Sequence, residues 1–365
     1  MHPTTTRRNF MGTLTIGTSG LMAHRVLAQT PVSASVPVAD PRISGPFPIL
    51  STPYHENGEV DYETLAREAR FVDWCGSPGM IWPQSGDSID LLTQDEKLKG
   101  MSVLAETMRG GQSALCLGVQ GKNTEEMLVY ARHAEKLNPA AIISRPPDEG
   151  KTEADLRAYW RALAEVAQRP VIIQTTGGTT YKGQPPSTKL LIELGRDFPH
   201  FGYVKEEANP VLQRMRELLA AKPAAIRRVW SAWGGWAWLH QARFGTEGVI
   251  TERAAYSDLL ARIWGLMKSG AGDLALMDAF SKYLLIINIR ETIHGGDLRG
   301  PHLYVFQKRG VFKNRVSREY GPKNSIPAKP IVSELKLGKQ DTDEIDRRLE
   351  AIKPYLKKGV FNPDA

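Results

Sequence analysis

The residues best suited to covalent chemistry lie in the stretch Phe201-Gly202-Tyr203-Val204-Lys205-Glu206-Glu207, a short apolar run that ends on a cation. A lysine at the top of an apolar strand is poorly solvated as its ammonium, which favours the free amine. A free amine there can attack a carbonyl and form a Schiff base. A solvated lysine at the end of a surface strand would look the same over seven residues. The order of the surrounding elements must decide between the two.

Other polar residues stand where apolar runs stop. Gln84-Ser85-Gly86-Asp87, Gln120, Arg145, Gln174 and the pairs Ser231/Trp233 and Thr251/Glu252 are all of this kind. Ser85 and Gly86 can form an anion nest from a hydroxyl and backbone N–H groups. Arg145 can grip an anionic substrate with two parallel hydrogen bonds, or pair with a neighbouring loop. Gln84 and Gln174 suit hydroxyls or a carboxylate, and Thr251 is a further substrate-facing hydroxyl. Trp82 and Trp233 fall near the expected rim, where sugar-like substrates stack. The group Trp230, Trp233, Trp236 and Trp238 otherwise reads as core and interface packing. His55 and His240 have no evident partner in the sequence and read as structural or solvent-facing. Cys75 and Cys116 lack a partner at metal-ligand spacing, so the sequence suggests no metal. It suggests no cofactor either.

Those strand ends belong to a regular rhythm. From Phe47 onward, short apolar runs alternate with amphipathic segments for over 200 residues, as repeated βα units do. Strands are expected at 47–52, 79–82, 114–118, 140–144, 170–175, 202–205, 228–231 and 248–251. Helices are expected at 62–74, 94–108, 124–137, 153–168, 188–197 and 210–220. In the helix from Glu153, Leu156, Trp160, Leu163 and Val166 share one stripe, and Thr152 is placed to cap it. Eight such strands predict an α/β fold, a (β/α)8 TIM barrel, with catalytic groups at the carboxyl ends of the strands. No glycine fingerprint for a dinucleotide follows the first strand. After Thr251 the pattern turns helical, at about 255–268, 273–293 and 341–356, with a looped basic stretch between. The expected organisation is a signal segment 1–28, a Pro/Ser-rich linker 29–44, the barrel 45–268 and a helical C-terminal extension 269–365.

Several stretches in this order resemble the dihydrodipicolinate synthase/N-acetylneuraminate lyase family, over about residues 45–255. They include Thr52-Pro53 with Gly58-Glu59-Val60-Asp61, Ser85-Gly86-Asp87-Ser88 with Leu92-Thr93, and Ala134-Glu135-Lys136 leading to Ala140-Ala141. Arg169-Pro170-Val171-Ile172, Val204-Lys205-Glu206 and Gly245-Thr246-Glu247-Gly248-Val249-Ile250 complete the set. The resemblance implies a class I aldolase type of carbon–carbon or carbon–oxygen lyase, with Lys205 as the imine-forming residue and a dimer or tetramer as the assembly. The departures from the family pattern are specific. Pro83-Gln84-Ser85-Gly86-Asp87 stands where the family reads Gly-Thr-Thr-Gly-Glu. Gln174 stands in place of the proton-shuttling tyrosine, Arg145-Pro146-Pro147-Asp148 replaces a tyrosine-bearing loop, and Thr179 replaces an arginine. An amide cannot serve as acid or base at neutral pH. These losses argue against lysine biosynthesis. Proton transfer is left to Ser85 with a water, to Glu252, or to the substrate's own carboxylate.

The bulk composition excludes other classes. The net charge is +7, but Arg7, Arg8 and Arg25 lie in an acid-free N-terminal segment, and 7 − 3 leaves +4, too little to argue for nucleic acid. The five cations from Lys308 to Arg318 read as a solvated face. Thr6-Arg7-Arg8-Asn9-Phe10-Met11, a mild apolar core and Val26-Leu27-Ala28 resemble a twin-arginine export signal. The apolar core is too short to span a membrane, so the expected location is the periplasm. The leading expectation is a Schiff-base lyase, aldolase or dehydratase, acting on pyruvate or a 2-oxo acid derived from a sugar acid. The alternatives are a periplasmic binding protein for a small carboxylate that has kept the barrel without its chemistry, and a hydrolase or isomerase that works without an imine.

Overall fold

A computed structural model describes residues 39–289, 299–334 and 336–362. The expected signal segment, most of the linker and the end of the helix expected at 273–293 lie outside the described residues. The eight barrel strands are β1 (Gly45–Pro48), β2 (Gly79–Trp82), β3 (Ala114–Gly118), β4 (Ala141–Ser144), β5 (Val171–Gln174), β6 (Tyr203–Lys205), β7 (Arg228–Trp230) and β8 (Gly248–Thr251). Strands β2 to β7 pair in chain order, all parallel, and β1 pairs in parallel with β8. Bridges at Ile49–Ile81 and Ser231–Val249 join the two sheets into a closed ring.

The first strand explains why one of these joints is slight. Gly45 and Ile49 donate their N–H groups to the β8 side, at 2.7 and 2.8 Å. The alternate positions face β2, and two of them, Pro46 and Pro48, have no N–H to give. Only Leu50 reaches across, to the Ile81 carbonyl at 2.9 Å. The strand expected at 47–52 therefore begins two residues earlier and ends four earlier.

Side chains alternate strictly across the barrel wall, as the two-residue period of a strand requires. Phe47, Ile81, Cys116, Ile143, Ile172, Tyr203, Trp230 and Ile250 fill the interior. Their neighbours Met80, Leu117, Ile142, Ile173, Val204, Val229 and Val249 face the outer ring of helices. That ring comprises α1 (Tyr62–Trp74), α2 (Gln94–Thr107), α3 (Thr124–Leu137), α4 (Glu153–Ala164), α5 (Thr188–Asp197), α6 (Val211–Ala220), the short α7 (Trp238–Ala242) and α8 (Ser257–Lys268). Helix α4 starts on a reciprocal cap: Thr152 Oγ1 accepts from the Asp155 N–H and the Asp155 carboxylate accepts from the Thr152 N–H. The helix stops at Ala164, short of the expected 168.

Beyond α8 come α9 (Asp273–Ile287), α10 (Arg299–Lys308) and α11 (Lys339–Ile352). An antiparallel ribbon of β9 (Val316–Glu319) and β10 (Ile331–Glu334) stands between α10 and α11, where the sequence suggested only a basic loop. Its Arg318 explains part of the basic run: the guanidinium is buried, pairs with Glu96 on α2 at 2.6 Å and donates to the Leu91 carbonyl. Barrel and appendage form one compact unit. Among the described residues no helix is long and apolar enough to cross a membrane, and no group of His, Cys, Asp and Glu side chains could hold a metal ion.

Candidate active site

Register places the central pair. Strands β5 and β6 align so that Gln174 lies directly opposite Lys205, and both continue the inward rows of Ile172 and Tyr203. Lys205 is buried, and its Nζ donates to Gln174 Oε1 at 3.2 Å. The next inward position on β6 is Glu207, whose Oε2 stands 3.5 Å from Nζ. Thr176 closes the circuit: its hydroxyl donates to the Glu207 carboxylate, and Gln174 Nε2 donates to Thr176 Oγ1 at 3.2 Å. Amine, amide, hydroxyl and carboxylate therefore hold one another in a four-residue ring. The Trp233 indole N–H, donating to the Glu207 carbonyl at 2.8 Å, fixes the backbone beside it.

Glu206 faces the other way. Its carboxylate pairs with Arg214 at 3.1 Å and accepts from Thr175 and the Ala208 N–H. Burial pushes its carboxyl above the ordinary range, against the pull of Arg214. Of the two glutamates after Lys205, only Glu207 meets the cavity.

That cavity, about 540 Å³ at the carboxyl end of the barrel, exposes Lys205, Gln174, Thr176 and Glu207 on one side. Ser85 and Gly86 line it across the barrel, and Trp233, Trp236, Ile250, Glu252 and Arg253 complete the wall. Of the expected substrate-binding residues, Gln84, Arg145 and Thr251 do not line it, and neither do the strand-end residues Gln120 and Ser231. Gln84 and Thr251 fall on the outward rows of β2 and β8, in phase with Trp82 and Val249, and are wholly buried. Gln84 Oε1 accepts from the Ser85 N–H at 2.6 Å, so that donor of the expected anion nest is already engaged. Arg145 has the inward phase of Ile143 but turns along the rim, where it forms a buried ion pair with Asp90 and donates to Ser85 Oγ at 2.6 Å. Its guanidinium lies where a Cβ on Gly178 would be, so only glycine fits there. Trp82 is not at the rim: it is fully buried against Gly100 of α2, with its indole N–H on Thr52 Oγ1.

Sequence reasoning gave no site role to Glu207, Thr176 or Arg253, and it read Trp236 as core and interface packing, whereas all four line the cavity. The signal for Glu207 was available, since a residue two positions after Lys205 shares its face. Trp233 and Trp236 are 61% and 47% exposed, unlike the buried Trp230 and Trp238, because of the turn between them. Trp233, Gly234 and Gly235 all take positive φ, at 54°, 65° and 78°. Tyr283 OH holds this turn through the Gly234 carbonyl at 2.6 Å.

Comparison with known proteins agrees with this architecture. Residues 42–289 match the Dihydrodipicolinate synthetase family. The chain belongs to that family. A 4-hydroxy-tetrahydrodipicolinate synthase from Symbiobacterium thermophilum is 27% identical over 188 residues, which cover 50% of this chain and 60% of the synthase. An L-2-keto-3-deoxyarabonate dehydratase from Azospirillum brasilense is 23% identical over 250 residues, 67% of this chain and 77% of the dehydratase. The structure of a Ruminococcus gnavus sialic acid aldolase superposes with a TM-score of 0.71 at 17% identity, over 86% of this chain and 98% of the aldolase, a likeness of fold. Within the family frame, Gln174 and the Glu207–Thr176 pair are the furnishings of the lysine in this chain.

Proposed function

We propose that this member of the dihydrodipicolinate synthetase family is a Schiff-base lyase, a dehydratase of a 2-oxo acid derived from a sugar acid, with Lys205 as nucleophile and Glu207 as proton carrier. The observation that carries the reading is the Glu207 carboxylate 3.5 Å from Lys205 Nζ, open to the cavity and held by Thr176. In a free-amine state Lys205 attacks the C2 carbonyl and water leaves, giving an iminium. A carboxylate beside that nitrogen reaches the hydrogens on C3. Glu207 takes one, and its bonding pair becomes the enamine. The enamine expels the hydroxyl on C4, to which Glu207 returns the proton, so the leaving group departs as water. Hydrolysis frees the amine, and the net change is the loss of one water from the substrate. Gln174 orients the amine and takes no part in proton transfer. Ser85 and Gly86, which line the cavity across the barrel from Lys205, take the C1 carboxylate in this reading. The dehydratase among the relatives supports the choice of elimination and of substrate class.

The test is borohydride trapping with pyruvate and a panel of 2-oxo-3-deoxy sugar acids, read by intact mass, alongside water-loss assays by NMR. The native protein should gain one adduct, absent from Lys205→Ala. Glu207→Gln should keep the adduct and lose the elimination. No adduct on the native protein, or one that persists in Lys205→Ala, returns the chain to the binding-protein alternative. The proposal includes export by the twin-arginine route and a homo-oligomer. Replacing Arg7 and Arg8 by lysine should strand the protein in the cytoplasm, and sedimentation measures the assembly.

A further inference from the structure

The far wall of the cavity contains a cation that the proposed chemistry does not use. Arg253, two residues after β8, lines the cavity although only 1% of it is exposed. One end of its guanidinium is engaged: Nη1 meets Glu252 Oε1 at 3.1 Å and His302 Nε2 at 2.8 Å. The other edge is bare. Nε is buried with no hydrogen-bond partner among the described residues, and none of them accepts from Nη2. Nε and Nη2 form the side-on fork of a guanidinium, the edge that matches the two oxygens of a carboxylate. A buried cationic donor left unsatisfied is costly, so the retention of Nε in this state calls for an acceptor.

A second donor converges on the same place. A Cβ on Gly234 would stand 3.0 Å from Trp236 Nε1 and 3.3 Å from Arg253 Nη2, so the indole N–H and the guanidinium flank this glycine, itself part of the cavity lining. Trp236 donates to none of the described residues. The left-handed turn at 233–235, tied down by Tyr283 and by the Trp233 bond to Glu207, holds the indole there. Nη2 and the indole can only donate, so the group they meet must accept, and the charge of the guanidinium favours a carboxylate over a hydroxyl. The cavity falls within the range of pockets for ligands well beyond the size of pyruvate.

We infer that Arg253 and Trp236 form a distal oxyanion subsite, and that the substrate is a 2-oxo diacid whose second carboxylate sits beside Gly234 while C2 meets Lys205. This rests on the imine reading of Lys205 for which end of the molecule is which. Glu252 compensates one end of the guanidinium and the substrate the other, so a single arginine serves two carboxylates, one on each edge. A neutral polyhydroxy tail would leave the donor fork without a charged acceptor.

The experiment is calorimetry on the full-length protein with 2-oxoadipate against 2-oxohexanoate, and 2-oxoglutarate against 2-oxopentanoate. These pairs are matched in length and differ only in the terminal carboxylate. 2-Keto-3-deoxygluconate represents the neutral polyhydroxy tail. The diacids should bind at least about tenfold more tightly, the order expected of a charge-assisted fork. That ratio should collapse toward one in Arg253→Met and fall partway in Trp236→Phe, which keeps the ring and removes the donor. Arg253→Lys, a cation without the fork, should also fall partway. Equal affinities in the native protein, or tighter binding of 2-keto-3-deoxygluconate, overturn the inference. So does a ratio unchanged in Trp236→Phe and Arg253→Lys, should Arg253→Met not fold. Borohydride trapping run in parallel separates the two claims. A diacid preference without an adduct removes the imine reading and keeps the subsite; an adduct without the preference does the reverse.

Discussion

Two sides of the cavity use polar residues in opposite ways. On the β5–β6 side, Gln174, Thr176, Lys205 and Glu207 bond to one another and still present the amine and the carboxylate to the cavity. On the β2–β4 side, Gln84 caps the Ser85 N–H, Asp90 neutralises Arg145, and Arg145 holds Ser85 Oγ, so that only Ser85 and Gly86 reach the cavity. The first set is fixed by strand register, the second by loop residues satisfying one another. A buried polar group at a strand end is thus no guide to function until its partners are known. The Ser85 hydroxyl shows the benefit of the second arrangement: its oxygen accepts from Arg145, which leaves its hydrogen free for a substrate carboxylate.

Substitutions on each side should separate the two arrangements. The largest effect is expected from Lys205→Ala, which removes the trappable adduct and all turnover, as intact mass and product NMR would show. Glu207→Gln should lower kcat by about 10²–10⁴-fold, the usual range for a lost acid–base group, with little change in melting temperature. A similar loss of stability would place Glu207 with the scaffold instead. On the other side the signs reverse. Arg145→Met strands Asp90 as a buried unpaired carboxylate and should cost about 3–5 kcal/mol in urea unfolding. In the double variant with Asp90→Asn, most of that loss should be recovered. KM should rise through the loosened Ser85 while kcat changes less, and a fall in kcat with constant KM would break the comparison.

The smallest expected effect lies behind the β2 loop. Glu68 on α1 is fully buried and accepts from the Ser51 N–H at 2.9 Å, and its second oxygen has no hydrogen bond among the described residues. Burial pushes its carboxyl well above the ordinary range, the nearby Asp87 adds to this, and the Ser51 bond opposes it. For a carboxyl raised in the folded state, the stabilising contribution is complete below the unfolded value, near 4.5. It is lost as pH rises toward the folded value. Glu68→Gln should therefore flatten the fall of melting temperature from pH 5 to 8, and an unchanged slope would place the titration elsewhere.

Much of the barrel was legible because a βα repeat prints its period on the sequence. Every strand was found near its place, and Lys205 could be set at the top of the sixth. The same two-residue period, carried one step beyond each strand, separates Gln174, Lys205, Glu207 and Glu252, which line the cavity, from Gln84, Glu206 and Thr251, which face outward. What was not legible depends on contacts between distant segments. Arg145 has the inward phase and is diverted by Asp90, 55 residues earlier in the chain. Nothing local to Arg253 shows that one edge of its guanidinium is bare. The β9–β10 ribbon was hidden by its charge, since Arg318 reads as a solvated cation until Glu96 is brought to it.

The prolines of β1 have a consequence for how the barrel breathes. With Pro46 and Pro48 unable to donate, β1 meets β2 through a single bridge, as β8 meets β7, while β2 to β7 form a continuous ladder. Amide exchange should therefore be fastest at Leu50 and slow through β3 to β6, where the protons are released only by wider unfolding. Lys205 and Gln174 lie within the slow part of the ladder, and Arg253 follows the strand that pairs with β1. Transient parting at this seam would slacken the wall bearing Glu252 and Arg253 and leave the amine and its ring of partners intact.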